Sequence, residues 1–286
     1  GMVKGEATIA NVPASDRGPG RVWYGSAAAS EDHDLDWLTE NLRPDEDVQI
    51  RSLTNDYTIL VLAGPNARAV LSACARGDWS AAAFPWLSVR ECFVGIAPAT
   101  VLGVSFSGEL AYEIHVPNAS LYAAYLALRQ AGEAHGMRLF GSRAVESMRL
   151  EKGFMHWKSE LITEFDPFET ALGRFVTLAK PDFIGRDALL RRSRAVPRRK
   201  LVTLDVDAVH APAPGGASLM RDDRVCGTVT SGGWGHRVGK NLAYAFVDAE
   251  FSAIESTADL DLCGDLVRAT VIPPCPYDPN FSKIRQ

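Results

Sequence analysis

Two short stretches hold most of the residues whose types and spacing could do chemistry. In "SFSGELAYEIHVP", Gly108 permits a tight turn, and the alternation after it sends Tyr112, Ile114 and Val116 to one face of a strand and Glu113 and His115 to the other. A carboxylate in mid-strand is unusual. Either it faces solvent on a half-exposed sheet, or it is fixed so that its oxygens accept two parallel N–H donors from a flat heterocycle, as they would from a guanidinium fork. The second stretch, "FMHWKSEL", places Phe154, Met155, His156 and Trp157 in a row directly after an amphipathic run that ends on Gly153. Such a cluster is core or the wall of a pocket, and burial preference alone favours core.

Other chemistries are poorly represented. There is no GxSxG elbow, no Walker loop, no HExxH and no strand-GxGxxG-helix fingerprint. The glycines of "SGGWGHRVGKN" lie between "TVT" and "LAYAFV", where a long hairpin turn is expected in preference to a phosphate loop. Six histidines are dispersed without metal-ligand spacing, so no metal is expected.

These residues need elements to position them. "EATIAN" reads as a strand, and "RVWYGSAAASEDHDLDWLTENL" as a strand followed by a helix with Ser30 as N-cap. "VQIRSLTNDYTILVLAGP" reads as two strands joined by a polar turn at Asn55-Asp56, and "NARAVLSACA" as a short helix capped by Asn66. Three strands are expected between Val89 and Pro117, then the helices "SLYAAYLALRQAGEAHG" and "GSRAVESMRLEKG". The irregular alternation points to an α+β fold and away from a doubly wound parallel sheet. At "GRDALLRRSRAVPRRK" a short helix leads into a basic linker, and beyond it short strand-like runs with Gly and Asp turns predict a small antiparallel barrel or sandwich. The chain divides near Ala195, into 2–195 and 196–286, with Gly1 set aside as a residue preceding the start methionine.

Composition bounds the rest. With 286 residues, 47% hydrophobic and 23% charged, the chain has the make-up of an ordinary globular protein. A net charge of -5 argues against nucleic acid as a partner. The stretch "CFVGIAPATVLGVSFSG" is too short and too rich in Gly, Ser and Pro to span a membrane, and no signal peptide is evident. Five scattered cysteines without a CxxC pair read as reduced, mostly buried thiols in a cytoplasmic protein.

Taken in order, "GELAYEIHVP", "GSRAVESMRLEKGFMHWKSEL", "PFETALGRFVTLAKPDFIGRDALL" and "GTVTSGGWGHRVGKNLAYAFV" resemble the folate-binding aminomethyltransferase family over nearly the whole chain. That family includes the T-protein of the glycine cleavage system and the carboxy-terminal halves of dimethylglycine and sarcosine dehydrogenases; "RLEKG", the Trp after it and "DFIGR" place the likeness closest to the dehydrogenase-linked branch. The resemblance implies a folate-binding region made of a ferredoxin-like unit and a second α+β unit, followed by a β-barrel, with tetrahydrofolate held in a central cleft. It assigns Glu113 to the pterin edge, with Tyr112 and Glu109 as neighbours of lower weight, and raises Trp157 to a pocket residue as readily as a core one. Glu6, in "GMVKGEATIAN", stands where the family carries its catalytic aspartate, which orients the folate amine and handles the charge or proton that develops as folate N5 attacks a methylene iminium.

The likeness also has departures. The glycine-cleavage branch has a folate-contacting arginine at the position of Val145, and Arg143, two residues earlier, points about 200° away on the same helix, although the dehydrogenase branch has its arginine there. Tyr277 in "PPCPYDPNF" is the candidate for a tyrosine near the folate. The family usually carries several dozen further residues before the first strand, so a shortened amino-terminal part is expected here. The implied activity is tetrahydrofolate-dependent transfer of a methylene or methyl group from a small methylated amine, such as dimethylglycine or sarcosine, or a sulfonium, together with a flavoprotein dehydrogenase domain or partner. The alternatives are a folate-binding or assembly module without transfer chemistry, and a fragment of a larger flavoenzyme.

Overall fold

The computed structural model describes residues 1–15 and 18–286, which fall into two compact units. One, the sheet unit, comprises Ala7–Gly141 with Asn280–Gln286; the other, the barrel unit, comprises Gly1–Glu6 with Ser142–Pro279.

The sheet unit starts with an antiparallel hairpin of β1 (Ala7–Val12) and β2 (Arg21–Ser26), followed by helix α1 (Glu31–Glu40). Ser30 stands at the N-cap of α1, but its side chain makes no capping bond; Glu31, Asp32 and Asp34 in the first turn complement the helix dipole instead. Next come β3 (Tyr57–Ala63), α2 (Ala67–Cys74), β4 (Val89–Val94), β5 (Ala97–Leu102), β6 (Ala111–Pro117) and α3 (Leu121–Glu133). The four strands form an antiparallel sheet in the order β3-β6-β5-β4. The two-strand expectation for "VQIRSLTNDYTILVLAGP" is half right, because only its second half is a strand. Val48 and Ile50 are 53% and 37% exposed and find no partner strand, so alternation there has no face to bury and no ladder to join.

One face of this sheet is the core. Leu62, Tyr112, Ile114 and Val116 pack with Val70 and Leu71 of α2 and Ala124 and Leu128 of α3. Tyr112 completes an aromatic group with Trp79 and Phe84, ring centroids 6.5 and 6.0 Å away. Period-two alternation then forces Glu113 and His115 onto the opposite face, beside Val61 and Ile59 of β3.

The barrel unit contains α4 (Ser142–Lys152) and α5 (Arg186–Ser193), then β7 (Arg199–Val206), β8 (Ser218–Arg221), β9 (Arg224–Gly235), β10 (Lys240–Asp248), β11 (Thr257–Leu262) and β12 (Asp265–Ile272). The strands close into a six-stranded antiparallel barrel, β10-β7-β12-β11-β8-β9, filled by Leu204, Leu219, Val229, Ala243, Ala245, Leu260 and Val271. Closure leaves no unpaired sheet edge. The expected long turn at "SGGWGHRVGKN" is shorter than the glycines imply. β9 continues through Gly235, which pairs with Lys240, and only His236 to Gly239 turn the chain. The glycines serve close packing: a Cβ on Gly233 would meet Leu150 at 2.9 Å, and one on Gly235 would meet Glu151 at 3.0 Å. Helix α4 thus lies directly on β9.

All five cysteines are free, and among the described residues no helix is long and apolar enough to cross a membrane. Fewer thiols are fully buried than expected: Cys92 and Cys226 are, Cys74 and Cys275 are half-buried, and Cys263 is exposed in the β11–β12 turn. Burial pushes the Cys74 thiol up to about 11 and raises those of Cys226 and Cys275, which removes their thiolate at neutral pH. A thiol reagent applied to the native protein is therefore expected to modify one fast equivalent, lost in Cys263→Ser, with the remaining thiols reacting only after unfolding.

Candidate functional site

The carboxy-terminal turn of α4 is unusual in its chemistry, since Arg149, Leu150, Glu151 and Lys152 are all buried. A helix end closed on every side by protein must supply partners for each charge. Arg149, 1% exposed, donates from Nη1 to Glu160 at 2.9 Å, from Nε to Glu146 at 2.9 Å and from Nη2 to the Ser231 hydroxyl at 2.8 Å. Glu160, itself fully buried, also accepts the Thr230 hydroxyl at 2.8 Å and the backbone N–H of His156 at 2.8 Å. Glu151 accepts from the Arg237 side chain and from the backbone N–H of Val238 at 3.2 Å. Lys152 pairs with Asp278 at 3.0 Å.

These three pairs hold the irregular segment after the helix. The chain leaves α4 through Gly153 at φ +77°, where a Cβ would also collide with the carbonyl oxygen of Pro274. It then passes Phe154, whose carbonyl accepts from Arg149 at 3.2 Å, and makes a bridge between Trp157 and Leu161. Trp157 is half-buried, and its indole N–H is buried with no hydrogen-bond partner. A donor-only group left in that state is rare in native proteins. His156, its neighbour, is exposed.

Tyr277 is fixed on the same framework. Its backbone N–H donates to the Glu151 carbonyl at 2.9 Å, and the Arg237 guanidinium lies 3.8 Å from its ring centroid. Arg143 is exposed on the first turn of α4. Glu6 is open to solvent as a residue, yet partial burial raises the pKa of its carboxyl, and the charge of His156 pulls it partly back. The proton is held more tightly than in an unfolded chain, by a margin that solvent access keeps small.

In the sheet unit, Glu113 is not the freely solvated carboxylate that a half-exposed sheet would give. Its side chain is 31% exposed and lies 3.4 Å from Nε2 of His115, which is buried. His115 in turn accepts the indole N–H of Trp23 on Nδ1 at 3.1 Å, so the β1–β2 hairpin covers this part of the sheet. Tyr112 sits on the other face with its hydroxyl buried and unpartnered in the aromatic core. It therefore does not share a surface with Glu113. Glu6, Arg143, Trp157 and Tyr277 all belong to the barrel unit, Glu113 and Tyr112 to the sheet unit.

The family model described as the GCVT N-terminal domain matches residues 1–180, and the glycine cleavage T-protein C-terminal barrel domain matches residues 199–278. The chain belongs to the glycine cleavage T-protein family. Mouse mitochondrial dimethylglycine dehydrogenase is 33% identical over 274 residues, covering 95% of this chain and 31% of that protein. The aminomethyltransferase of Alkaliphilus oremlandii is 27% identical over 245 residues, 86% of this chain and 66% of the relative. The crystal structure of the glycine cleavage system aminomethyltransferase T from Bartonella henselae superposes with a TM-score of 0.77 at 23% identity, over 93% of this chain and 70% of that one. The chain thus spans about a third of the dehydrogenase relatives it matches, and it has the aminomethyltransferase fold with a closed terminal barrel.

Arg149, Glu160, Arg237 and Trp23 were not singled out from the sequence, and His115 was placed there only on the strand face it shares with Glu113. Four of them are far from a partner along the chain, with Arg149 and Ser231 82 residues apart, Arg237 and Glu151 86 apart, and Trp23 and His115 92 apart. A signal exists only for the α4 end, where three charges precede a glycine in an otherwise amphipathic helix. Replacing Arg149 by Ala would leave Glu160 buried without its cation, and a loss of about 3–5 kcal/mol in unfolding free energy is expected by urea denaturation. Gly153→Ala, which meets both the φ requirement and the Pro274 carbonyl, is expected to cost about 2 kcal/mol or more in the same measurement.

Proposed function

We propose that this protein binds tetrahydrofolate and transfers a one-carbon unit to it from a small methylated amine. Its membership of the T-protein family supports folate-dependent one-carbon chemistry in general, and the observation that carries the reading onto this chain is Glu113, a carboxylate held in place but not used up by its neighbours. One of its oxygens meets His115, and the remaining lone pairs are open to a pair of N–H donors such as a pterin edge presents. In the barrel unit, independently of Glu113, the orphaned indole N–H of Trp157 is a buried donor without a partner, which suits a ligand acceptor.

Bound tetrahydrofolate would supply a nucleophilic amine that accepts the one-carbon unit. The chain's own residues would bind and orient it. In the sheet unit, Glu113 would accept the paired N–H donors of the heterocycle; in the barrel unit, taken by itself, Trp157 and Tyr277 would offer flat aromatic surface, Arg143 a cation for an anionic group, and Glu6 a carboxyl that can hold or release a proton. A raised carboxyl pKa suits Glu6 to that last role, since its affinity for a proton moves toward the working pH. Orientation accounts for most of the rate advantage in such a site. Tyr112, in the core, contributes by fixing β6 and with it Glu113. The donor, dimethylglycine or sarcosine by analogy with the relatives, would be oxidised by a flavoprotein dehydrogenase acting as partner or as part of a longer polypeptide.

Calorimetry with tetrahydrofolate tests the reading. The protein is expected to bind, and Glu113→Gln to weaken binding about a hundredfold, as expected when a charged acceptor of two donors is lost; no binding by the unaltered protein sinks the proposal. Transfer of formaldehyde equivalents to folate is expected to fall at least tenfold in Glu6→Ala with folate affinity retained. Folate binding with no transfer in either form would instead identify a binding module.

A further inference from the structure

We propose that His115, set in a single tautomer by Trp23, is a positioning residue that aims the Glu113 carboxylate at its ligand. The inference rests on the assignment of Glu113 to a heterocycle and adds the two residues that would make that carboxylate directional. An indole N–H can only donate, so at 3.1 Å from Trp23 Nε1 the Nδ1 of His115 must be the unprotonated, accepting nitrogen. In a neutral imidazole the proton then sits on Nε2, the atom that faces Glu113 Oε2 at 3.4 Å. Three residues on two strands thereby form a directed chain of donors, Trp23 to His115 to Glu113.

The chain is built into the fold. Trp23 is 8% exposed and His115 4% exposed. The Trp23 ring is braced edge-on by Tyr57 at 5.2 Å and by His115 at 5.6 Å. On β6, Glu113 and His115 are two residues apart and share a face. A carboxylate offers about four lone-pair positions, so one bond from His115 leaves Oε1 and the second lobe of Oε2 for a two-donor ligand. Without that bond the carboxylate can rotate about its terminal torsions, and the ligand must bear the entropy of fixing it.

Two measurements test the inference. Long-range proton–nitrogen correlation spectra of histidine-labelled protein, with the His115 signals assigned by their loss in His115→Phe, are expected to show the Nε2–H tautomer in the unaltered protein and a mixture in Trp23→Phe. An Nδ1–H tautomer in the unaltered protein overturns the inference whatever folate does. By calorimetry with tetrahydrofolate, His115→Phe and Trp23→Phe are each expected to weaken binding about three- to tenfold, and to add nothing once Glu113→Gln is present. A structural role alone would lower affinity equally in both backgrounds, and that result, or unchanged affinity in folded Trp23→Phe, overturns the inference. Trp23→Phe keeps an aromatic ring but removes the indole N–H together with three buried ring atoms, so it is read against the Glu113→Gln background, and there it decides the matter even if His115→Phe fails to fold. No binding by the unaltered protein would instead strike the folate assignment itself.

Discussion

The buried pair of Arg149 and Glu160 is the constraint on which the barrel unit depends. Each is almost wholly removed from water, and each would be costly alone, so the chain must bring α4, the segment through Glu160, and strand β9 to one point. A hydrophobic pair could fill the same volume. It could not also accept the His156 N–H and the Thr230 hydroxyl, which tie the irregular segment to the barrel. The pair therefore ties α4, the segment after it and β9 together at one point.

A second constraint is the glycine content of β9. Gly233 and Gly235 let Leu150 and Glu151 of the helix pack on the strand where an added Cβ would force those side chains to shift. Charge and glycine act together here: without close approach, Arg149 would not reach Ser231, and without the ion pairs the approach would bury charges at a net cost. Trp157 and Tyr277 inherit their positions from this framework. Both sit in segments with little regular secondary structure, held by contacts to the α4 end and the residues around it.

The sheet unit reaches rigidity by another route. Its core side is apolar and helical, in the ordinary way of an antiparallel sheet with one covered face. The other face is polar in part and is closed by a hairpin whose Trp23 bonds to a histidine. Period-two alternation then places Tyr112 in the core and Glu113 among polar neighbours, so that one strand packs the core with one set of side chains and holds a carboxylate beside an imidazole with the other.

Much of this is legible in the sequence. The order of elements, the three strands between Val89 and Pro117, the α4 helix ending at Gly153, the barrel and the family all follow from local pattern and motif order, because periodicity and glycine placement act over a few residues. The absence of a strand near Val48 could not be read, since alternation says nothing about whether a partner strand is present. Nor could the glycines of "SGGWG" be told apart from turn residues, because Gly233 and Gly235 accommodate a helix some 80 residues away and Gly232 the backbone of Ala213. The partners of Arg149, Glu151 and Lys152, and the burial of His115 between Trp23 and Glu113, were decided by tertiary structure alone. Hydrogen bonds and ion pairs of this kind join residues remote in the chain, and their geometry exists only once the units have closed around them.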